Sequence, residues 1–230
     1  MTSRLTIVAS LIGLPFFAVA GQRGQPGADL LAGDPGRLEL VNVAATRVQY
    51  RGRDAIRLVG NPKDSVSKET VAIIPGVQFG DGVIEAEIAG APAAGADTNA
   101  RGFVGIAFRV DSSGSRYAAF YLRPTNGRAT DQLRRNHSTQ YVAHPDYPWY
   151  RLRKEQPGVY ESYVDLEAGA WTPIRIEVRG GVARLFVHGS PQPVLIVNDM
   201  KNPPASGRIA LWIDVGTEAY FSRLRVTPAR

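Results

Sequence analysis

The stretch PIRIEVRGGVARLFVHG, residues 173–189, decides the fold. Apolar and polar side chains alternate on both sides of Gly180-Gly181, as expected for two half-buried β-strands joined by a tight turn. No segment shows a sustained apolar repeat at helical spacing. Short strands separated by Gly-rich turns predict an all-β domain, a sandwich or a barrel. Similar strand-like runs occupy residues 38–44, 55–60, 70–75, 82–90, 102–110, 116–124, 193–199, 207–214 and 219–226.

The N-terminal residues differ from this pattern. MTSRLTIVASLIGLPFFAVA, residues 1–20, has a basic Arg4, an apolar run and a final Ala-Val-Ala. These features predict a secretory signal peptide cleaved after Ala20, with an uncleaved N-terminal anchor as the alternative. Residues 21–37, rich in Gly and Pro, predict a flexible tether, and residues 38–230 the folded domain. We therefore expect a secreted, periplasmic or cell-envelope protein.

The composition narrows the class of partner. The 230-residue chain has no cysteine, so an exported form would depend on a packed core instead of disulfides. Its formal net charge is +6, and about +5 without Arg4, with arginine far outnumbering lysine. Arginine pairs bidentately with carboxylates and donates hydrogen bonds to hydroxyls. Because export and the lack of any nucleic-acid motif argue against nucleic acid, we expect an acidic or polyhydroxylated glycan. Membrane contact is expected only through the export signal.

Strand alternation also predicts a ligand-facing surface. If residues 82–90, 102–110 and 116–124 are neighbouring strands, one face combines carboxylates, guanidinium groups and tyrosines around small residues. Such a face suits a sugar, because aromatic rings can stack on it while charged groups bond its hydroxyls. The alternative is an ordinary solvated face with cross-strand ion pairs. The predicted substrate-binding residues here are Glu85, Glu87, Arg109, Tyr117, Tyr121 and Arg123.

The segment from Pro124 to Val159 is long for a connection within a compact domain, and loops of this length are usually functional or disordered. Its many aromatic residues favour an ordered flap that walls the site, with TQYVA, residues 139–143, as a candidate strand. His137 could shuttle protons or simply hydrogen-bond within the loop. Predicted substrate contacts in and beside the flap are Arg134, Arg135, Gln140, Tyr141, Trp149 and Tyr163.

A resemblance to a known family rests on the strand sequences GDGVIEAEI, GFVGIAFRV, YAAFYLRPTNG, WTPIRIEVRGGVARLFVHG and GRIALWIDVGTEAYFSRLRV. Together they resemble a concanavalin A-like jelly roll, in particular the laminin-G-like and 3-keto-disaccharide hydrolase (DUF1080) domains of exported bacterial proteins. The resemblance implies a β-sandwich of two antiparallel sheets with one long ordered loop. It also implies glycan binding, or glycosidic-bond chemistry, on the concave sheet. The N-S-G and E-x-Q-x-x-D runs typical of the hydrolase branch are absent.

Catalysis would need acid–base groups. Glycoside hydrolysis commonly uses paired carboxylates, and YESYVDLE, residues 160–167, supplies Glu161. Its strand neighbour Asp165 would lie about 13 Å away, so a partner has to come from another strand, with Glu85 or Glu87 as candidates. A salt bridge to a local arginine is the alternative role. Glu161 and His137 are thus the catalytic candidates.

The sequence predicts no cofactor and no metal, apart from a candidate calcium site at Asp214 and Glu218. Three functions remain open: a glycan-recognition module without catalysis, an enzyme that cleaves a glycosidic bond such as that of a 3-keto-glycoside, or a non-catalytic cell-envelope structural or protein-interaction domain.

Overall fold

The computed structural model describes residues 27–60, 69–201 and 204–229. Their strands form two antiparallel seven-stranded sheets. The predicted signal peptide, residues 1–20, lies outside the described residues. The strands are β1 Glu39–Val41, β2 Val43–Tyr50, β3 Arg53–Gly60, β4 Val71–Phe79, β5 Gly82–Pro92, β6 Val104–Val110, β7 Tyr117–Leu122, β8 Thr139–His144, β9 Glu161–Ser162, β10 Thr172–Arg179, β11 Val182–Val187, β12 Leu195–Val197, β13 Gly207–Ile213 and β14 Thr217–Pro228.

The two sheets are named here by their strands. The front sheet has the order β1-β4-β13-β6-β7-β8-β9, and the back sheet has the order β12-β11-β10-β5-β14-β3-β2. All eleven strand-like runs overlap strands, and residues 173–189 form the β10–β11 hairpin around Gly180. The predicted all-β jelly-roll sandwich of two antiparallel sheets is confirmed.

The core lies between the sheets and follows from strand alternation. In the front sheet, Ile106, Phe120 and Tyr141 stand opposite one another on β6, β7 and β8, and all three are buried. The back sheet contributes buried Ile84 on β5 and Ile176 on β10, which also face each other. Burial of apolar surface on this scale, at roughly 25 cal/mol per Å², supplies the stability that disulfides provide in many exported domains.

The predicted flap comprises two connections separated by a strand. TQYVA lies in β8, which pairs with β7 and β9. Helix α1, Gln132–Asn136, lies before β8, and helix α2, Trp149–Glu155, lies after it. Both helices were missed because five and seven residues are too few to reveal an apolar repeat. Within the described ranges, no helix has the length and apolarity needed to cross a membrane.

The described part of the predicted tether packs on the sandwich. Leu31 is buried, and the backbone N–H of Leu30 donates to the carbonyl of Leu224 on β14 at 2.8 Å. The guanidinium of Arg47 donates to the Leu31 carbonyl at 2.6 Å. Residues 27–37 therefore belong to the packed domain, which differs from the flexible tether expected from their Gly and Pro content. Residues 21–26 lie outside the described residues.

Candidate functional site

A row of opposed residues crosses five strands of the front sheet. Trp212, Gly105, Tyr121, Gln140 and Glu161 pair in sequence across β13, β6, β7, β8 and β9. Residues directly opposite on antiparallel strands project from the same face, so this row lies on the face that points away from the core. The Tyr121 and Trp212 rings stack at 4.6 Å. A β-carbon at position 105 would lie 2.6 Å from that of Tyr121, so glycine is required between the rings.

An aromatic cavity of about 310 Å³ opens above this row. Tyr121 and Trp212 form its floor, and α2 contributes Trp149, whose side chain is 42% exposed. The volume falls in the usual range for small-molecule sites, about 300–1,000 Å³. The cavity is lined by Glu69, Thr70, Phe103, Tyr121, Val142, His144, Pro148, Trp149, Tyr150, Trp212, Asp214 and Val215.

Two carboxyl groups face this cavity. Glu69 accepts a hydrogen bond from the Tyr117 hydroxyl and lies 3.3 Å from His144 Nδ1. Tyr117 is fully buried and stacks on His144, so it positions Glu69 from below the cavity. Asp214 follows β13, and burial raises the pKa of its carboxyl above the ordinary value. The aromatic cavity therefore combines stacking surfaces with hydrogen-bonding groups.

An arginine cavity of about 700 Å³ adjoins the aromatic cavity. The two share Phe103, Trp149 and Asp214 in their linings. The arginine cavity takes its character from guanidinium groups of both flap connections and of the loop before β6. It is lined by Asn99, Arg101, Phe103, Arg123, Asn126, Asp131, Leu133, Arg134, His137, Trp149, Arg153 and Asp214.

Arg123 links the two cavities. Only 2% of this residue is exposed. Its Nη2 donates to the Tyr121 hydroxyl and to Gln140 Oε1, both at 3.0 Å. Its Nη1 donates to the His137 carbonyl at 3.1 Å, and its guanidinium lies 5.7 Å from the Trp149 ring centroid. These contacts fix one cation beside the aromatic floor, and they engage Gln140 behind the cavity.

Glu161 lies behind the cavity wall, not on it. Arg153 Nε donates to both of its oxygens at 3.1 Å, Arg153 Nη2 donates to Oε2 at 2.6 Å, and Arg123 Nη1 lies 3.7 Å away. The His137 Nε2 is 3.2 Å from Oε1. Burial lowers the pKa of His137, and the Glu161 carboxylate offsets this only in part. The lowered pKa favours the uncharged imidazole at neutral pH.

The expectation that Glu85 and Glu87 share a face with Tyr121 is wrong. Their strand β5 lies in the back sheet, between β10 and β14. The Glu87 carboxylate pairs with Arg53 and Arg223 there, and Glu85 is exposed. Alternation assigns faces within a strand but cannot assign the strand to a sheet. Neither residue can therefore serve as the carboxylate partner of Glu161.

Arg109 and Tyr141 also lie away from both cavities. Arg109 is the extra residue of a β-bulge on β6, with φ of 54°, so its side chain leaves the face predicted by alternation. It donates to Asp81 at 2.8 Å and to the Gly180 carbonyl of the back sheet at 3.0 Å. Tyr141 is buried in the core between the sheets, where its ring packs at 5.5 Å from Phe120.

The two adjacent arginines of α1 have different environments. Arg134 lines the arginine cavity. Arg135 points elsewhere and donates to the Tyr163 hydroxyl at 2.9 Å, which places Tyr163 outside both cavities as well. The structure thus brings Tyr121, Arg123, Arg134, His137 and Trp149 together around the cavities, and places Tyr117, Gln140 and Glu161 directly behind them.

Several cavity residues were missed from the sequence. Trp212 belongs to a predicted strand, and its alternation with Ala210 could have identified it once β13 was placed beside β6. Arg101, Arg153 and Glu69 lie in loops or on a short helix, where no periodicity assigns a direction. Phe103 lies in the predicted strand 102–110 on the same face as Gly105, but it was not chosen as a site residue.

The candidate calcium residues have separate surroundings: Asp214 faces the cavities, whereas Glu218 accepts from Arg57 and Tyr220. Across residues 27–60, 69–201 and 204–229, no cluster of three or more histidines and carboxylates is suited to a metal ion.

Comparison with solved structures identifies the fold of this chain. No family model matches the chain, and neither does any curated protein. The carbohydrate-binding module CBM66 from Bacillus subtilis superposes with a TM-score of 0.52 at 10% identity, covering 82% of this chain and 98% of that one. A protein of unknown function with a galectin-like fold, also from Bacillus subtilis, gives 0.53 at 13% identity, covering 88% and 96%. The chain is a concanavalin A-like jelly-roll β-sandwich.

Proposed function

We propose that this protein recognises a glycan on the outer face of the front sheet. The observation that carries the proposal is that the aromatic cavity adjoins the arginine cavity along shared lining residues. Pyranose rings have apolar faces that pack on aromatic rings, and hydroxyls that accept hydrogen bonds from guanidinium groups. Trp149 offers an exposed ring above the floor that Tyr121 and Trp212 form, and Arg134 offers guanidinium donors in the adjoining cavity.

Two further observations support this proposal. One of the similar structures is a carbohydrate-binding module, which makes a glycan a reasonable ligand class for the same fold. The signal peptide predicted for residues 1–20 would bring the protein to the periplasm, the cell envelope or the medium, where glycans are abundant.

Trp149→Ala tests the proposal. Trp149 lines both cavities, so its loss should weaken glycan binding about tenfold or more while leaving the fold intact. Glycans that bind the wild-type protein on an array would be titrated by calorimetry. Tyr163→Ala is the matched control, because Tyr163 is similarly exposed, at 43%, but lies outside the cavities.

Glycan binding by the wild-type protein decides whether the proposal holds. Failure to bind any glycan on a broad array would overturn the proposal. Recovery of one stoichiometric protein partner would then support the cell-envelope structural or protein-interaction alternative.

Cleavage of a glycosidic bond is the second candidate function, favoured by the position of His137 Nε2, 3.2 Å from Glu161 Oε1 at the wall of the arginine cavity. In this hypothesis His137 is the acid–base group, and the neighbouring Glu161 carboxylate fixes the orientation of its ring. Substrates to assay include 3-keto-glycosides, as the resemblance to 3-keto-disaccharide hydrolases suggests.

His137→Gln tests the cleavage hypothesis. If the imidazole transfers the proton, product formation followed by mass spectrometry should fall about 10²–10⁴-fold, with glycan binding retained. The pKa of His137 is lowered, so activity of the wild-type protein should decline only below about pH 6.5, as the base becomes protonated. His188→Gln, at an exposed residue, should change neither property. Equal turnover by both variants would contradict the role of His137.

A further inference from the structure

We infer that the ligand is an acidic glycan, a sugar bearing a carboxylate or a sulfate ester, whose anionic group binds between Arg101 and Arg134. The inference rests on the proposed function, because it names the ligand class of the same site. Four arginines line the arginine cavity: Arg101, Arg123, Arg134 and Arg153.

The four arginines fall into two pairs. Arg123 and Arg153 both contact the Glu161 carboxylate, which offsets their charge. Arg101 and Arg134 have no carboxylate within 4.0 Å among residues 27–60, 69–201 and 204–229. Of the eighteen other arginines in the described residues, eleven form such ion pairs and seven, Arg135 among them, do not. Within the arginine cavity, Arg101 and Arg134 are therefore the pair without a carboxylate partner.

Neutral oxygen atoms hold the second pair in place. Arg134 Nε donates to Asn126 Oδ1 at 2.9 Å, and its Nη2 donates to the Thr125 carbonyl at 3.2 Å. Arg101 Nη1 donates to the Thr98 carbonyl at 3.0 Å. Carbonyl and amide acceptors orient a guanidinium without cancelling its charge. Both side chains are thus fixed, partly buried and still fully cationic, as an anion-binding site requires.

The two charges also act on each other. Burial lowers the pKa of Arg134, the positive charge of Arg101 lowers it further, and the Asp131 carboxylate offsets this only in part. A bound carboxylate or sulfate would relieve this repulsion. Two carboxyl groups share the lining: Asp131 accepts from the backbone N–H of Arg134 and caps α1, and Asp214 has a pKa raised by burial. Neither forms an ion pair with the two arginines.

The position of these arginines fits a sugar substituent. Phe103 and Trp149 line both cavities, so a pyranose stacked in the aromatic cavity can extend a ring substituent into the arginine cavity without leaving the protein surface. Arginine recognises carboxylate and sulfate oxygens through paired N–H donors, whereas a hydroxyl would satisfy only one of them. An anionic substituent therefore accepts more hydrogen bonds from the two arginines than a neutral one does.

Three ligands distinguish the chemistry: de-esterified oligogalacturonides, the same oligomers with every carboxylate methyl-esterified, and sulfated galactan oligosaccharides. Calorimetry should show at least about tenfold tighter binding of one acidic ligand than of the methyl ester, since charge-assisted bonds are roughly twice as strong as neutral ones. The preferred acidic ligand identifies carboxylate or sulfate as the anion. Raising the salt concentration should weaken binding of the acidic ligand more than that of the ester.

Arg134→Gln is the diagnostic variant, with Arg101→Gln as a second one in case α1 is disturbed. Each should reduce the preference for the acidic ligand about tenfold, because the acidic ligand loses charge-assisted bonds whereas the methyl ester loses only weaker neutral ones. Arg135→Gln is the matched control on the same helix, because its guanidinium bonds Tyr163 outside the cavities. It should leave the preference unchanged.

The outcomes separate the two proposals. Suppose that neutral glycans bind, that Trp149→Ala weakens this binding, and that neither arginine variant reduces the preference for the acidic ligand. The acidic ligand is then refuted and the proposed function stands. If the wild-type protein binds none of the three ligands and no glycan on the array, both proposals fail. A preference for acidic ligands that Arg135→Gln removes as well would refute the assignment to Arg101 and Arg134.

Discussion

Glu161 ends the row of opposed residues on the front sheet, where Arg153, Arg123 and His137 surround its carboxylate. Only 7% of the residue is exposed, and Arg153 donates to both of its carboxylate oxygens. A carboxylate engaged in this way positions its partners, whereas a nucleophile or base needs an open oxygen facing the ligand. The residue thus connects strand β9 to the flap helix α2 through Arg153.

Glu161→Gln should therefore act first on stability. Removing one partner from a buried ionic network leaves uncompensated charge, which costs about 3–5 kcal/mol. Urea unfolding followed by tryptophan fluorescence would measure the change. Glu155→Gln is the control, since its pair with Arg151 is about half exposed and should contribute less than about 1 kcal/mol. Similar destabilisation by the two variants would show that the Glu161 network contributes no more than a surface pair.

At the scale of single residues, strand alternation predicted cavity residues correctly where the strand is regular. Tyr121 and Arg123 follow β7 in the order that a pleated strand imposes, and both lie at the cavities. Arg109 fails the same rule because a bulge adds one residue to β6 and reverses the side chain. No residue type marks that bulge, so the reversal could not be foreseen.

Among the elements, α2 supports the aromatic cavity most directly. It begins after Pro148 and contributes Trp149 and Tyr150 to the wall. Leu152 is the buried residue of this helix, at 1% exposure, and attaches it to the sandwich. The side chain that holds the wall in place is thus distinct from the side chains that face the ligand.

Leu152→Ala should loosen this wall. Truncating a buried leucine costs about 2–5 kcal/mol, and the loss should fall mainly on α2 and the adjoining connection. Hydrogen exchange should accelerate across residues 145–160, and glycan affinity should fall together with it. Leu133→Ala on α1 removes the same atoms from a side chain that is 67% exposed, so its exchange should match the wild type. Unchanged exchange in the Leu152 variant would show that other contacts hold the helix.

For the whole molecule, strand positions could be predicted but strand neighbours could not. Each strand-like run carries its own alternation, which is a local property of the sequence. Pairing is not local: β5 lies between β10 and β14, far along the chain, and not beside β6. This is why Glu85 and Glu87 were placed on the wrong sheet, and why the resemblance to jelly-roll domains predicted the architecture better than it predicted the site.

The two flap connections have a consequence for how such a protein can diversify. Residues 123–138 leave β7 and return on β8, its hydrogen-bonded neighbour, and residues 145–160 leave β8 and return on β9. Each connection thus starts and ends on adjacent strands, while most of the cations and the exposed ring of Trp149 lie within it. Exchange of either connection between proteins of this fold would graft a different ligand preference onto an unchanged sandwich, which makes the connections natural units of divergence and of design.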